Sequence, residues 1–456
     1  MRNLVADGEV EVRPTRVVVV GGGAAGVITA AHLLHAADPA HPVDVRVVEK
    51  DAAMGPGLAY RTRHPLHTLN NFAGRLSAVE GDPDHLLRWC ADRGLPVEPT
   101  TFLQREVYGR YLAGVLDDAP TPAGSMLRRD RGEVVDVRQD EDGLTVLLAD
   151  GRELPGDTVV LALGNPPPRR QAEYERWGDR YQPDPWAESP TGGGEPAREV
   201  LLVGTGLTMV DVVARMHEAS PGTRFTAVSR HGLLPTAHKR GSARLHDTFH
   251  PGVGSLDTLI ERVRTRVREV EDVGGDWRDV VDSVRACAND LWAGLSRADQ
   301  DWFVRNVARH WEVARHRMSP EMAAYVDRLR ESGTLRVAQV GEVDPAAFDR
   351  IVNCTGPAPV PTRGWSRLVD TLLDRGALRG HRLGLGLALD PHGRVVDAEG
   401  RTNPRLYAVG AARRGTEWEV AAVPDLRQQA ARLATHLRAT QGLTGRGTRS
   451  DQVRPA

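Results

Sequence analysis

The sequence predicts an α/β protein with two parallel-sheet domains, the second of which carries a helical insertion. Two buried-strand patterns each lead into a glycine-rich turn, within 16–26 and 199–209. From 256 to 332 apolar residues recur at helical spacing, which predicts the insertion. Strands that alternate with helices are typical of a parallel sheet covered by helices. The 456 residues suffice for two or three domains.

The first glycine turn predicts a dinucleotide site, so that both domains are expected to be Rossmann-like. Four consecutive valines lead into Gly21–Gly26, which has the G-x-G-x-x-G spacing. These glycines allow the turn, let a pyrophosphate approach the backbone and let helix and strand pack closely. The next strand, Val43–Val48, ends at Glu49, where a carboxylate can take ribose hydroxyls. We expect the phosphates at the N-terminus of the following helix, which favours anions.

Two later segments predict where the chain crosses between the domains. Asp157–Gly164 (DTVVLALG) and Asp349–Gly356 (DRIVNCTG) each contain an acid, a buried strand and a small-residue turn that ends in glycine. Residues 166–198 are rich in proline and glycine, which fits a crossing linker and equally a plain exposed loop. The predicted limits are 1–165 for the first part of the first dinucleotide-binding domain, 166–198 for the linker, 199–348 for the second domain with its insertion at about 250–332, and 349–456 for the second part of the first domain.

The second glycine turn differs from the first in two ways. Met209 stands in place of the third glycine, so the helix must lie farther from the strand or the site is altered. The strand Arg224–Ser229 is followed by Arg230 and His231 instead of an acid. Because a 2′-phosphate needs donors and positive charge, this strand end favours NADPH over NADH. Almost all basic residues of the chain are arginine, however, so composition alone can also account for Arg230.

Composition argues against several function classes. The net charge of −2 gives no indication of nucleic-acid or anionic-membrane binding. Cys90, Cys287 and Cys354 are far apart, so we expect no disulfide framework, zinc site or C-x-x-C redox pair. The apolar run 17–34 contains three consecutive glycines, which does not suit a signal peptide or a spanning helix. We therefore expect a cytoplasmic protein.

Residues 55–77 form an irregular segment after the strand that ends at Glu49. Long irregular stretches in compact domains are often ligand loops, and this one leaves the strand end where a doubly wound sheet places its ligand. A surface excursion is the alternative interpretation. Further predicted elements are helices at 23–35, 82–93, 105–116 and 424–440, strands at 132–138, 144–148 and 158–161, and a short buried strand that ends in Gly410.

Six motifs carry a resemblance to a known family: VVVVGGGAAG, GPGLAY, LLVGTGLTMVD, VSRHGLLP, VNCTG and LYAVGAARRG. Over nearly its whole length the chain resembles bacterial flavoproteins with an FAD/NAD(P)-binding domain. This branch of the two-dinucleotide-binding superfamily contains flavin-dependent N-hydroxylases and enzymes that form nitrosuccinate from aspartate. The motifs are specific for the cofactors and much less specific for the substrate.

The resemblance implies FAD and NADPH as cofactors. Val135 is then expected near the adenine, Gly410 with Ala411 at the ribityl phosphate, and Leu58, Asn70 and Asn71 near the isoalloxazine. The family has an aspartate where this chain has Ala411, so one hydrogen bond to FAD is expected to be missing or replaced. The implied FAD contacts are Gly21, Gly22, Gly23, Ala24, Ala25, Gly26, Glu49, Lys50, Leu58, Asn70, Asn71, Val135, Gly164, Gly410 and Ala411. The implied NADPH contacts are Gly204, Thr205, Gly206, Leu207, Thr208, Ser229 and Arg230.

The activity that the resemblance implies is an NADPH- and O₂-dependent monooxygenase. Oxygen would pass from a C4a-hydroperoxyflavin to the nitrogen of a small polar amine or amino acid, while the protein excludes water and presents the nitrogen unprotonated. Two alternatives remain open. One is a flavin oxidase or dehydrogenase with a vestigial second nucleotide site, an alternative that Met209 favours. The other is a non-catalytic flavin-binding redox module that docks a partner through the helical insertion.

Sequence alone assigns no catalytic base. His238 and His316 are candidates, although each can be an ordinary surface or packed histidine. Arg105 or Arg317 are candidates for a bidentate clamp on a substrate carboxylate. The rings and basic groups clustered between 302 and 317 suggest either packing within the insertion or a wall over the flavin.

Overall fold

The computed structural model describes residues 13–444 apart from 142, 188–196, 240–248, 251 and 253. Two separate sheets, parallel except for an antiparallel edge strand in the first, carry helices, which confirms the predicted fold class. Part of the predicted linker, 188–196, lies outside the described residues. Within the described part no helix is both long and apolar enough to cross a membrane.

The strands of the described residues are numbered in chain order. They are β1 (Thr15–Val20), β2 (Val43–Glu49), β3 (Met126–Arg131), β4 (Val134–Gln139), β5 (Leu144–Leu148), β6 (Glu153–Gly156), β7 (Thr158–Leu161), β8 (Tyr181–Gln182), β9 (Glu199–Val203), β10 (Arg224–Ser229), β11 (Leu335–Gln339), β12 (Arg350–Asn353), β13 (Arg394–Val396) and β14 (Thr402–Ala408).

The helices follow the same numbering. They are α1 (Ala24–Ala36), α2 (Gly57–Tyr60), α3 (His85–Ala91), α4 (Arg105–Asp117), α5 (Ala172–Glu175), α6 (Leu207–Ala219), α7 (Leu256–Asp272), α8 (Trp277–Ala286), α9 (Ala288–Gly294), α10 (Arg297–Asn306), α11 (Ala308–Arg315), α12 (Pro320–Glu331), α13 (Arg367–Asp374) and α14 (Val423–Thr444). Single 3₁₀ turns lie at Ala73–Arg75, Gly178–Arg180, Pro345–Ala347 and Gly410–Arg413.

The first sheet has the strand order β13-β14-β7-β1-β2-β3. The valines of β1 are buried because parallel partners lie on both sides, β2 and β7, while α1 covers one face and the antiparallel strands β5 and β6 cover the other. Strand β3 is an edge strand parallel to β2, and the sequence analysis missed it. Its charged and mostly exposed residues, MLRRDR, lack the apolar pattern by which a strand is recognised. Strands β4, β5 and β6 form a small antiparallel sheet.

The second sheet has the order β11-β10-β9-β12-β8, and it corrects the predicted domain limits. Strand β12 pairs in parallel with β9, so the chain returns to the first sheet after β12 and not at 349. Strand β8, inside the predicted linker, pairs with β12. The two similar segments each complete their own sheet: Asp157 accepts a hydrogen bond from the Arg16 amide at 2.8 Å, and Asp349 accepts one from the Arg198 amide at 2.8 Å.

The helical insertion consists of α7 to α11. The next helix, α12, leads into β11, which pairs in parallel with β10, so α12 is a crossover helix of the second sheet and the insertion ends before the predicted 332. Ser319 caps α12 by accepting a hydrogen bond from the Met322 amide. Val326 and Leu329 of α12 pack in the same core cluster as Val200 of β9.

A matched pair of glycine substitutions tests the close packing of helix on strand. A Cβ at Gly26 would lie 1.8 Å from the Gly21 carbonyl oxygen, whereas a Cβ at Gly206 meets open space. We expect Gly26→Ala to lower the free energy of unfolding by about 1–3 kcal/mol or more. Gly206→Ala should cost less than about 1 kcal/mol, the scale of a changed helix cap. Urea unfolding followed by circular dichroism measures both, and equal losses would contradict this packing argument.

Candidate functional site

The first glycine turn is held open by its own backbone. The Gly21 amide donates to the Val48 carbonyl at 2.8 Å, and Gly21 has a φ of +106°, which favours glycine. The Glu49 carboxylate lies across the turn, where one oxygen accepts from the Gly22 amide at 2.7 Å. Gly23 begins α1 without a side-chain cap, so the first amides of the helix remain for an anion. The turn therefore fits a pyrophosphate beside a ribose.

The Gly410 turn lies against the start of α1. A Cβ at Gly410 would lie 3.3 Å from Ala25 Cβ and 3.5 Å from Leu426 Cδ2. The Gly410 amide donates to Gln429 Oε1 at 2.8 Å, so α14 holds this turn. The structure thus brings the two predicted FAD segments, about 390 residues apart in sequence, into one place. The effect of Ala411 on FAD stays a prediction.

The irregular segment 55–77 folds back onto the first domain. Leu69 and Ala73 pack in a core cluster with Ile28 of α1. The Asn70 carbonyl is 2.9 Å from His238 Nε2, and the Asn71 side chain accepts from the Phe72 amide. The segment is therefore anchored at its end and is not a free surface excursion.

The other predicted FAD residues lie at different parts of the first domain. Leu58 is in the short helix α2 and is 41 % exposed. Lys50 pairs with Asp51, Val135 is on β4, and Gly164 has a φ of +69° after β7. Their assignment to FAD stays a prediction.

The second glycine turn repeats the geometry of the first. The Gly204 amide donates to the Val228 carbonyl at 2.8 Å, and Gly206 begins α6 without a side-chain cap. Thr205 Oγ1 donates to the Leu233 carbonyl at 2.6 Å and lies 2.9 Å from Ser229 Oγ, which ties the turn to the end of β10. Met209 is fully buried in the core of this sheet, so its side chain does not obstruct the turn.

Arg309 is a residue of this site that the sequence analysis missed. It comes from α11 of the insertion, and its guanidinium donates to the Leu233 carbonyl at 3.1 Å and lies 3.3 Å from Thr205 Oγ1. Burial lowers the pKa of Arg309, the charge of Glu312 opposes this change, and the nearby charge of Arg230 lowers the pKa further. The rings of His231 and His310 are 6.3 Å apart at the same place. Only tertiary packing joins these residues, so spacing could not have revealed Arg309.

The two arginine candidates for a substrate clamp are already engaged. Arg317 is 1 % exposed and pairs with Asp282 at 3.0 Å, so its guanidinium is engaged within the fold, and its binding of a substrate stays a prediction. Arg105 pairs with Asp211 of α6 at 2.8 Å and donates to the Thr68 carbonyl at 3.1 Å. This pairing gives Arg105 a place between the two domains and leaves little of its guanidinium for a substrate.

The two histidine candidates are also explained by packing. His238 is 7 % exposed between Phe72 and Phe102, and burial lowers its pKa to about 4, which makes it a weak base. His316 Nδ1 lies 2.7 Å from Glu312 Oε2. Beside His316 and Arg414, the pKa of Glu312 falls to about 2 although burial opposes the change. His316 is thus already in contact with a carboxylate of helix α11.

The ring and basic residues between 302 and 317 do not form one wall. Trp302 is 44 % exposed, whereas Trp311 Nε1 donates to Glu419 Oε1 at 3.1 Å. The described residues contain no group of three or more histidine, cysteine or carboxylate side chains that could hold a metal ion.

Comparisons with known proteins agree with this geometry. Residues 18–166 match the model of the FAD-NAD(P)-binding family, so this part is an FAD-NAD(P)-binding domain. No curated protein matches the sequence. The chain has the two-dinucleotide-binding fold, as its likeness to solved flavoprotein structures shows.

Three of these structures are monooxygenases or hydroxylases. L-lysine 6-monooxygenase from Pseudomonas syringae is 16 % identical, with a TM-score of 0.60 over 93 % of this chain and 99 % of that one. Ornithine N-hydroxylase from Kutzneria sp. 744, with reduced FAD, NADP⁺ and L-ornithine, is 16 % identical, with a TM-score of 0.58 over 94 % and 100 %. A flavin monooxygenase from Stenotrophomonas maltophilia is 15 % identical, with a TM-score of 0.54 over 94 % and 100 %.

Substitution of the two arginines at the second turn tests coenzyme selectivity. We expect Arg230→Ala and Arg309→Ala each to raise the KM for NADPH about tenfold or more, with little change for NADH, because a charge-assisted contact of about 1.5–3 kcal/mol is lost. Steady-state kinetics with both coenzymes measures this. Arg305→Ala, on an exposed position of α10, is the control and should change neither KM. Equal effects on both coenzymes would remove the phosphate role.

The buried His238 predicts a pH dependence of stability. Its pKa is about 4 in the folded chain and about 6.5 when unfolded. The unfolded chain therefore binds more protons between these values, and stability falls as pH drops from 6.5 to 4, by about 3 kcal/mol in total. His238→Gln should flatten this slope in urea unfolding, whereas His250→Gln, at an exposed position, should leave it unchanged. An unaltered slope in His238→Gln would show that this histidine titrates normally.

Proposed function

We propose that the chain is an NADPH- and O₂-dependent flavin monooxygenase of the cytoplasm that oxygenates the nitrogen of a small polar amine or amino acid. The observation that carries this proposal is the cationic end of β10. Arg230 follows the strand, and Arg309 is held there by hydrogen bonds to neutral oxygens, so its charge is available to a 2′-phosphate. The flavin monooxygenases with the same fold support the choice of reaction class.

The first domain would hold FAD. The Gly21–Gly26 turn and α1 would take the pyrophosphate, Glu49 the ribose, and the Gly410 turn the ribityl phosphate. FAD, when bound, supplies the redox chemistry that reduces O₂ and delivers one oxygen atom to the substrate. The chain itself supplies binding, orientation and the exclusion of water.

The second domain would hold NADPH. Contacts between the domains fix the position of the second domain relative to the irregular segment 55–77. Asp211 of α6 pairs with Arg105 of α4, and its carbonyl accepts from His67 Nε2 at 2.9 Å. Helix α6 begins at the second glycine turn, so these contacts set the distance between the two nucleotide sites. The proposed role of Arg105 is therefore positioning.

The helical insertion would exclude water from the reaction. Trp292 Nε1 donates to the Gly415 carbonyl at 2.7 Å, and Arg414 pairs with Glu312 of α11 at 2.5 Å. These contacts lay the insertion over the segment after the Gly410 turn. A site closed in this way protects reduced flavin and its oxygen from loss to water.

Neither alternative function gains support from a particular contact. Met209 suggested an oxidase or dehydrogenase with a vestigial second site, but its side chain lies in the core and leaves the turn open. A non-catalytic module would use the insertion to dock a partner, whereas much of the insertion packs on the chain itself through Trp292 and Glu312.

Anaerobic stopped-flow reduction tests the proposal. We expect NADPH to bleach the bound flavin, and NADH to do so with a much higher apparent dissociation constant, because only NADPH uses the charges at β10. In air, one member of a panel of free amino acids and amines should accelerate NADPH oxidation with little release of hydrogen peroxide.

Two outcomes would contradict the proposal. If NADPH fails to bleach the flavin, the chain is not an NADPH-dependent monooxygenase. If no electron donor reduces the flavin at all, the non-catalytic module is the better description. Gly206→Ala is a matched variant, since it should fold normally yet slow reduction by NADPH.

A further inference from the structure

A buried ionic cluster lies where the helical insertion meets the segment between Gly410 and α14. Arg285 of α8 pairs with Asp425 of α14 at 2.8 Å, and Arg315 of α11 lies 3.5 Å from Glu419. Asp425, Arg315 and Glu419 are each less than a tenth exposed. Neither nucleotide site uses them.

The hydrogen bonding of this cluster is incomplete. Asp425 Oδ2, Arg285 Nε and Arg315 Nε are buried and have no partner. An unsatisfied buried polar group lowers the stability of a protein, and native proteins keep few of them. Asp425 Oδ2 is the one acceptor among these three atoms, so a ligand that donates a hydrogen bond can complete it.

Asp425 lies beside the turn that is predicted to meet the flavin. The next residue, Leu426, is the one that approaches Gly410, and Gln429, one turn further along α14, accepts from the Gly410 amide. On its other side Asp425 faces the insertion through Arg285. The free carboxylate oxygen is thus at the junction of the flavin turn and the insertion.

We propose that Asp425 is a catalytic residue that binds the ammonium group of the substrate through Oδ2 and accepts its proton. This inference rests on the proposed function. The proton passes from R–NH₃⁺ to Oδ2, which leaves a neutral R–NH₂ and a carboxylic acid, and no electrons change hands. The amine then has the free electron pair that oxygen transfer to nitrogen requires.

The surroundings of Asp425 favour this transfer. Burial raises its pKa, and Glu419 adds to the effect, while Arg285 and Arg315 lower the pKa in part. In a site of low dielectric a neutral amine beside a neutral acid is favoured over two charges. Glu419 is less suited to the task, because its Oε1 accepts from Trp311 and its Oε2 faces Arg315. Arg285 holds Oδ1 and is a positioning residue.

The test compares Asp425→Asn with Asp282→Asn. Asp282 is the matched control, since it also lies where the insertion meets the first domain. Both its carboxylate oxygens are paired, one with Arg75 and the other with Arg317. Each variant, loaded with FAD, is assayed for anaerobic reduction by NADPH. Each is then assayed in air for oxygenated product and peroxide with the twenty protein amino acids, L-ornithine and simple alkylamines as probes, from pH 6 to pH 10.

We expect Asp425→Asn to reduce its flavin at a rate within about twofold of the parent rate, yet to lose about 100-fold or more in product at pH 7 and to release peroxide instead. Because the uncharged fraction of a free amine rises about tenfold per pH unit below its own pKa, the deficit should shrink by that factor as pH rises. Asp282→Asn should keep the parent pH profile, even if it is less stable to urea.

The outcomes separate the two proposals. If the parent protein oxygenates a probe and Asp425→Asn matches it, or shows a deficit that does not change with pH, the role of Asp425 is wrong and the monooxygenase stands. If no probe accelerates NADPH oxidation in the parent protein, the proposed function fails, and the role of Asp425 fails with it.

Discussion

The close approach of backbone to backbone at each glycine turn is the constraint on which the two nucleotide sites depend. At the first turn Gly26 lies so near the Gly21 carbonyl that no side chain fits between them. At the second, Gly204 lies against the Cys354 carbonyl in the same way as Gly21 lies against Ala162. Each sheet therefore presents a helix N-terminus at the carboxyl edge of its central strand, where anions bind. The rest of the chain orients these two edges and covers the space between them.

Local patterns were enough to predict most of the parallel strands but not the assembly of the sheets. The bounds of β5, β7, β9 and β10 agree with the sequence prediction, because each is a short apolar run between turn residues. Strand β3 was missed because an edge strand needs no apolar face. The limit at 349 was misplaced because the residues of a buried strand do not indicate which of two sheets the strand joins. The glycine turns were predicted as sites because glycine at this spacing allows the tight turn and the approach of a pyrophosphate to the backbone. Arg309 and Asp425 were missed because helix packing alone brings them to their places.

Arginine serves several purposes in this chain, which explains why the two clamp candidates drawn from sequence, Arg105 and Arg317, are paired within the fold. A guanidinium stays charged when buried and matches a carboxylate with paired donors, so it can join helices inside the protein. Arg317 with Asp282 and Arg105 with Asp211 are pairs of this kind. Arg309 differs, because its hydrogen bonds go to neutral oxygens. A cation held by neutral acceptors retains most of its attraction for an anion, and this contrast is visible only in three dimensions.

Helix α11 contacts both of the proposed ligand sites. Arg309 at its start reaches the turn at β10, while Trp311 and Arg315 reach Glu419 in the cluster beside Asp425. If both proposed ligands bind, a shift of this helix that suits one ligand would also change the contacts at the other site. Thermodynamic reciprocity would then require that coenzyme and amine alter each other's affinity by the same factor. On the proposed roles of Arg309 and Asp425, the insertion would couple two small molecules that need not touch.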